Sequence, residues 1–507
     1  MIAKILGFTL VGLKGVPITV EVDINNGLPA FDVVGLADTA VKESKERVRS
    51  ALKNSGFAMP TRKITANLAP ADVKKEGSIL DLSLAIGVLI ASGQLVAQTD
   101  EVVFMGELSL DGSLRRVNGV LPTLIEAFNL GYKKFIIPIE NQKEASFVQG
   151  IEVFPAENLK QVVDHLSDLK PIEKVDFNQY LALGNKNIYN SDMALVKGQK
   201  VAKRALEVAV SGGHNLLFVG APGTGKTMLA KCIPTIMPDM TFSEALETTK
   251  IHSVAGMLND EDGIVFNRPF RSPHHTATTV ALTGGGSSLK PGEISLAHNG
   301  VLFLDEMPEY SRSTLEALRQ PLEDGIITVS RATGKVSYPA NFMLCGSMNP
   351  CPCGNFGSAD KVCTCSPSQI AKYKAKISGP LLDRIDIQVE VDSVKYSELT
   401  EQSQGESSLE IRKRVNRTRL IQKNRFANDN ILTNSDMGER QIQKYCKLSA
   451  ECEEVLKNAY NTLHLSPRAR SRIIKVARTI ADMALFDQIK VEHILEAISY
   501  RHSDGMI

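Results

Sequence analysis

Residues 216–232 constrain the fold more than any other stretch of the chain. Leu216-Leu-Phe-Val219 is an unbroken apolar run of the kind found in a strand buried on both faces. It leads directly into Gly220-Ala-Pro-Gly-Thr-Gly-Lys-Thr227, after which Met228 to Cys232 reads as a helix. A strand that turns through a Gly-rich loop into a helix predicts an α/β domain. The spacing G-x-x-x-x-G-K-[ST] also predicts its chemistry. The loop Gly220, Ala221, Pro222, Gly223, Thr224, Gly225 can bend so that backbone N–H groups converge on phosphates at a helix N-terminus. Lys226 can then reach the β- and γ-phosphates of a nucleotide, and the Thr227 hydroxyl can hold Mg2+.

Five later positions complete a candidate site for phosphoryl transfer. Gly300-Val-Leu-Phe-Leu304 is a second apolar strand, and it ends in Asp305 and Glu306. Asp305 suits the Mg2+ water shell, and Glu306 suits the orientation and polarisation of an attacking water. A third strand, in Phe342 to Met348, ends at Asn349, within reach of a γ-phosphate or that water. Arg384 stands in a short turn after Gly379-Pro-Leu-Leu, and Arg468 lies where Ser466-Pro-Arg468 begins a helix. Either arginine can neutralise charge on a moving phosphate, and an Arg far from its own phosphate loop in sequence suits donation by a neighbouring subunit.

Cys351, Cys353, Cys363 and Cys365 crowd into one loop, half of the chain's 8 cysteines. Four thiolates are enough for a tetrahedral zinc site, while a disulfide framework would spread its cysteines. The C-x-C spacing is tighter than the usual zinc spacing, and free thiols are the alternative. An adjacent His274–His275 pair should point to opposite sides, which favours a structural or inter-subunit contact over metal. Ile326 to Tyr338 reads as a β-hairpin carrying Arg331 and Lys335 at its tip, able to grip nucleic-acid phosphates without reading sequence. The basic run Arg412-Lys-Arg414, Arg417, Arg419, Lys423 and Arg425 fits a solvated helix face at least as well as a DNA contact.

Composition sets the outer bounds. At roughly 100–200 residues per domain, 507 residues hold more than one core. Lys+Arg 58 against Asp+Glu 57 leaves a net charge of +1, so any basic surface must be local. The absence of Trp, with 6% aromatic residues, argues against a base-stacking surface as the chain's main business. Ile5 to Leu13 is apolar but is followed by Lys14 with no small-residue cleavage site, so a signal peptide is not expected. Leu80 to Ala97 carries Asp81 and several small polar residues and reads as a buried helix. No membrane span is expected, and the chain reads as cytoplasmic. The chain divides into an α/β domain at 1–165, a polar linker at 166–193, a motif-rich core at 194–392 and a helical region at 400–507.

Taken in this order, the motifs resemble the AAA+ ATPases, and within them the magnesium-chelatase-like YifB/ComM family. The likeness is carried by Gly27 to Leu36, Arg268-Pro-Phe-Arg-Ser-Pro-His-His-Thr276, Gly284-Gly-Gly286, Pro291 to His298 and Ser378 to Asp386. It implies an AAA+ P-loop α/β/α core with helicase-type insertions and a C-terminal helical lid. It further implies ATP and Mg2+ as cofactors, Walker roles for 220–227 and for Asp305 with Glu306, and a sensor role for Asn349. Arg384 would be an arginine finger and Arg468 a second sensor, in a homo-oligomeric ring of six. The implied activity is DNA branch migration on single-stranded or branched DNA, in recombination or natural transformation. An ATPase chaperone for magnesium-chelatase-type metal insertion is the alternative, although the chain has no D-x-S-x-S signature of a chelatase adhesion domain. The first domain is similar to the Lon protease domain, through Lys74 to Asp81 and Gly106 to Gly112. The aligned nucleophile and general-base positions are Ile79 and Leu121, so the Ser–Lys chemistry is absent and the domain should be proteolytically inactive.

Overall fold

The computed structural model describes residues 2–179, 191–258, 263–286, 289–331, 334–357, 361–394, 405–463 and 465–501. Residues 180–190 of the expected linker, 332–333 of the expected hairpin tip and 401–404 of the polar stretch before the helical region lie outside them.

The N-terminal part is built on a seven-stranded sheet. From one edge its strands are Ala30–Val34, Lys63–Ala69, Lys14–Asn25, Ile2–Val11, Val102–Phe104, Lys134–Pro138 and Glu152–Ala156. The apolar run at Ile5 to Leu13 lies largely in the strand Ile2–Val11, which pairs antiparallel with Lys14–Asn25 along its whole length. Ile5 and Phe8 of one strand and Ile18, Val20 and Val22 of the other are buried. The helix Asp81–Ala91 has only one residue, Ile90, that is not fully buried, which explains a sequence apolar on all faces. Its one carboxylate, Asp81, is satisfied by Arg47 Nε at 2.6 Å and by the Ser44 hydroxyl. Beyond the helix Leu159–Leu166, the chain docks back on this sheet. Ile172 is buried and Val175 N donates to Val153 O at 2.8 Å.

The second sheet is entirely parallel, in the order Phe270–Arg271, Val301–Leu304, Met343–Met348, Leu216–Val219 and Ile387–Glu390. All residues of its three middle strands are buried, as the unbroken apolar sequences of Leu216–Val219 and Val301–Leu304 require. Because these strands are adjacent and parallel, the loops at their C-terminal ends converge on one edge. The C-terminal helices, among them Ser408–Arg425, Ala450–Thr462, Pro467–Met483 and Val491–Ser499, share a hydrophobic core with this sheet. Ser466 caps the helix Pro467–Met483 by accepting from Ala469 N. That helix is held to the sheet by buried Asp386, which meets His214 Nδ1 at 3.2 Å and Arg472 Nη1 at 3.1 Å. Burial works to raise the Asp386 pKa, but His214 and Arg472 together hold it below the ordinary carboxylate value.

Among the described residues the two parts touch in several places, including a ring contact of Phe147 with Phe266, 6.4 Å between centroids. Gly119 N donates to Ser253 O at 3.1 Å, and the Ser253 hydroxyl donates at 2.7 Å to buried Glu144. The turn after the first strand meets the hairpin Ile326–Arg331/Gly334–Pro339. Gly12 there has φ +65°, and a Cβ would lie 2.3 Å from Val336 Cγ1, so only glycine fits. No helix among the described residues is long and apolar enough to cross a membrane.

Candidate nucleotide site and its surroundings

The phosphate loop follows its strand as the sequence predicts, and the helix Lys226–Lys231 starts at its last two residues. Gly223 and Gly225 adopt φ of +82° and +93°, where an L side chain is strained, and nothing lies within 4 Å of a Cβ at either. Gly220 is required for another reason, since a Cβ would meet Val391 O at 2.3 Å.

The structure brings five polar side chains together above this loop. Lys226 is buried, and its Nζ donates to Gly220 O at 2.7 Å, Ala221 O at 2.8 Å and Asn349 Oδ1 at 3.3 Å. Burial lowers the lysine pKa, opposed by the nearby carboxylates of Asp305 and Glu306. Thr227 Oγ1 donates to Asp305 Oδ2 at 2.9 Å, so a metal-binding hydroxyl and carboxylate already face each other. The other Asp305 oxygen accepts from Ser347, whose hydroxyl also receives Glu306 N at 3.1 Å. Glu306 itself is exposed and sits at φ +51°. An amine engaged only by loop carbonyls and an amide, next to a Thr–Asp pair and open space over two glycines, fits a nucleoside triphosphate with its Mg2+.

Ser347 escaped the sequence reading. It stands two residues before Asn349, and its value comes from register. Leu304 pairs with Gly346, which sets Asp305 beside Ser347. Gln199 escaped as well. From φ +55° its amide donates to Asp392 O at 2.6 Å and Thr224 O at 3.2 Å, bracing the loop from behind.

Arg384 and Arg468 are not part of that group. Both line a separate cleft of about 1200 Å³ between the sheet and the C-terminal helices, and no residue of 220–227 lines it. Arg384 is ion-paired with Glu323 and donates to Pro380 O at 2.8 Å, while Arg468 is exposed in the first turn of its helix.

Cys351, Cys353, Cys363 and Cys365 converge, with all four sulfurs within 4.8 Å of one another. Backbone N–H groups of Asn355 and Thr364 pull the Cys353 thiol down to about 5, where it is readily a thiolate. The two histidines depart from expectation. The His274 and His275 rings lie against each other, 4.1 Å between centroids, because the extended backbone gives way to a turn in which His274 Nδ1 bonds Thr276.

Lys335 is exposed beside the hairpin turn and pairs in register with Ser330, and the Arg331 backbone pairs with Gly334. Of the basic helix, Arg412 and Arg414 are tied to Asp239 and to Glu406 and Glu207, and Arg419 is half-buried, donating to Val210 O at 3.0 Å, its pKa lowered to about 10 by desolvation. In the N-terminal sheet, Ile79 and Leu121 are buried, and Ser78 donates to Glu107. The nearby Lys75 is buried with its amine on Pro70 O.

Comparison with known proteins covers most of the chain. Family models described as "Subunit ChlI of Mg-chelatase", "Magnesium chelatase, subunit ChlI" and "Magnesium chelatase, subunit ChlI C-terminal" match residues 20–141, 192–399 and 405–501. The YifB protein of Salmonella typhimurium is 43% identical over 98% of this chain and 96% of its own length. Competence protein ComM of Haemophilus influenzae is 44% identical over 97% of this chain and 95% of its own length. A partial likeness, 29% identity over 138 residues, extends to Lon protease 2 of Bacillus subtilis, covering 27% of this chain and 25% of that protein. With both near-full-length likenesses and the phosphate-loop geometry in hand, the chain belongs to the magnesium-chelatase-like YifB/ComM family and is an AAA+ ATPase.

Proposed function

We propose that the protein is an ATP-driven motor that acts on DNA as a ring of six copies, with branch migration of recombining strands as its activity. The supporting observation is the hairpin Ile326–Pro339. It lies in sequence between the Asp305–Glu306 strand and the Asn349 strand, and Val329, Val336 and Tyr338 share a hydrophobic cluster with Leu304 and Met307. A movement of the acidic loop would therefore be felt at Lys335 and Arg331. Six such tips in a ring would gather enough positive charge to hold a phosphate backbone, although the whole chain carries only +1. The similarity to a competence protein supports the same reading.

In this reading ATP and Mg2+ supply the phosphoryl group and its charge neutralisation. Lys226 leaves the carbonyls of Gly220 and Ala221 for phosphate oxygens, Thr227 and Asp305 hold the metal, Asn349 senses the γ-phosphate, and Glu306 polarises water. Arg384 and Arg468, both away from their own phosphate loop, are offered to the neighbouring subunit. A zinc ion in the four-cysteine cluster completes the cofactor set. The 1–165 domain acts as a scaffold without peptidase activity, 166–193 connects it to the 194–392 ATPase core, and 400–507 serves as the lid. The metal-insertion alternative keeps the same ATP chemistry and differs in its partner.

The test is ATP turnover by the purified protein with and without forked DNA. DNA-stimulated hydrolysis with strand displacement is expected, and Lys335→Ala should cut the stimulation severalfold while basal turnover stays. Turnover indifferent to DNA refutes the motor. Lys226→Ala should abolish hydrolysis, and full activity in that variant refutes the site.

A further inference from the structure

The cysteine loop does not stand apart from the nucleotide site. Cys351 follows Asn349 by two residues, at the end of the strand Met343–Met348, and is fully buried. Its sulfur lies 3.4 Å from Cys353 Sγ and 3.7 Å from Cys363 Sγ, and Cys353 and Cys363 are 3.6 Å apart. A single ion with metal–sulfur bonds of ~2.3 Å at tetrahedral angles sets its sulfurs ~3.8 Å apart. The cluster is therefore close to the geometry of one zinc ion, and too tight for a multi-iron cluster to fit between the sulfurs. Phe356 N donates to Cys351 Sγ at 3.3 Å, a backbone contact of the kind that orients a thiolate ligand.

Between Cys353 and Phe356 the loop touches the phosphate loop. Gly354 has φ +80°, and a Cβ there would lie 2.4 Å from Pro222 Cδ and 2.8 Å from Pro222 Cγ. The backbone of the cysteine loop thus rests directly on the third residue of the phosphate loop. On the other side Gly220 N donates to Met348 O at 3.2 Å, and Lys226 Nζ reaches Asn349 Oδ1 at 3.3 Å. The phosphate loop is therefore held at both ends of one short segment, 348–354, and the cysteines tie that segment down.

We propose that zinc bound by Cys351, Cys353, Cys363 and Cys365 is a clip that presses Gly354 onto Pro222, and so sets the phosphate loop and Asn349 for nucleotide. The proposal rests on the zinc reading above and goes further, making metal and nucleotide thermodynamically coupled ligands. Coupling of this kind is reciprocal, so removing zinc weakens nucleotide binding and bound nucleotide raises zinc affinity by the same factor. The residues of the clip are positioning residues and do not touch the reacting atoms.

The test uses full-length protein. Zinc per chain is measured by atomic emission in protein as purified, after stripping with a chelator, and after refilling. Each form is titrated with a fluorescent ADP analogue. About one zinc per chain is expected, with ADP-analogue affinity falling about tenfold on stripping and returning on refilling. Zinc release to a competing chromogenic chelator at equilibrium should be smaller when ADP is present. Gly354→Ala keeps all four cysteines, so it should hold its zinc, yet bind the analogue several times more weakly and lose the effect of ADP on zinc release. That variant decides the matter should stripping unfold the loop, with circular dichroism reporting the fold. Less than half a zinc per chain after refilling overturns the metal site itself. Full zinc with the same affinity in stripped, refilled and Gly354→Ala protein overturns the clip and leaves the zinc. No analogue binding by zinc-loaded protein overturns the nucleotide assignment and the clip together.

Discussion

The two sheets of this protein end in loops of similar sequence character and opposite use. In the N-terminal sheet the loop containing Lys75, Gly77 and Ser78 leads into a helix, as the phosphate loop does, yet Ile79 and Leu121 turn into the hydrophobic core. Lys75 spends its charge on the Pro70 carbonyl. In the second sheet the corresponding edge turns Lys226, Thr227, Asp305, Ser347 and Asn349 toward one another and leaves space above the glycines. Both regions keep the glycines that shape their turns. Similar turn geometry thus serves both regions, and the convergence of polar groups distinguishes the second from the first.

The largest effect that separates the regions is expected at Arg384. If it completes a neighbour's site, Arg384→Ala should lower ATP turnover by ~10^3-fold, in the range of arginine fingers. Mixing it with Lys226→Ala protein should restore part of the activity, because some interfaces then pair an intact Arg384 with an intact Lys226. Mixtures no more active than either parent break the assignment. Glu306→Gln comes next. Loss of water activation should lower turnover by ~10^2-fold or more, while affinity for a nucleotide analogue stays within about threefold. A fall in affinity as large as the fall in turnover would make Glu306 a binding group instead.

Asp386 joins the C-terminal helices to the sheet two residues after Arg384, so it links stability to the same cleft. Asp386→Asn should cost about 3 kcal/mol, because Arg472 is left in a largely buried position without its carboxylate. Its folded-state pKa is held below the unfolded value of ~3.9, so its contribution is present above about pH 4 and is lost as pH falls toward the folded value. Denaturant melts at several pH values should show the difference between wild type and variant shrinking below pH 4. A constant difference would mean that packing, not charge, holds these helices.

What the sequence revealed and what it hid follow from the range of the interactions. The strand, loop and helix at 216–232 are legible because the apolar run, the glycines and the Lys–Thr pair act within a few residues of each other. The same holds for the Cys351–Cys365 loop and for the N-cap at Ser466. The strand Ile2–Val11 is less legible because its inward positions include Thr9, which breaks the apolar alternation although it is buried. Its identity is set by pairing with Lys14–Asn25. Ser347, Gln199 and the contact of Gly354 with Pro222 have no local signature. Each depends on the register of parallel strands or on a loop returning from elsewhere, and a linear pattern cannot encode that. The placement of Arg384 and Arg468 in one cleft belongs to the same class, since residues 84 positions apart come to line it only through the packing of the C-terminal helices on the sheet.

The smallest expected effect tests whether the N-terminal sheet has lost its chemistry or merely hides it. Ile79, the position that the likeness of Lys74 to Asp81 aligns with a protease serine, is 8% exposed. Ile79→Ser removes apolar volume from the core and should lower stability by about 2 kcal/mol, read as a lower melting temperature. It should create no casein-degrading activity. The side chain at position 121 is leucine, buried, with its backbone N–H donating to Glu144 Oε2 at 3.2 Å, so no amine is available to activate a new hydroxyl. ATP turnover should be unchanged, because Ile79 has no contact with the phosphate loop. Casein cleavage by Ile79→Ser alone would show that another base serves this sheet, and the contrast between its two regions would then be one of a single residue.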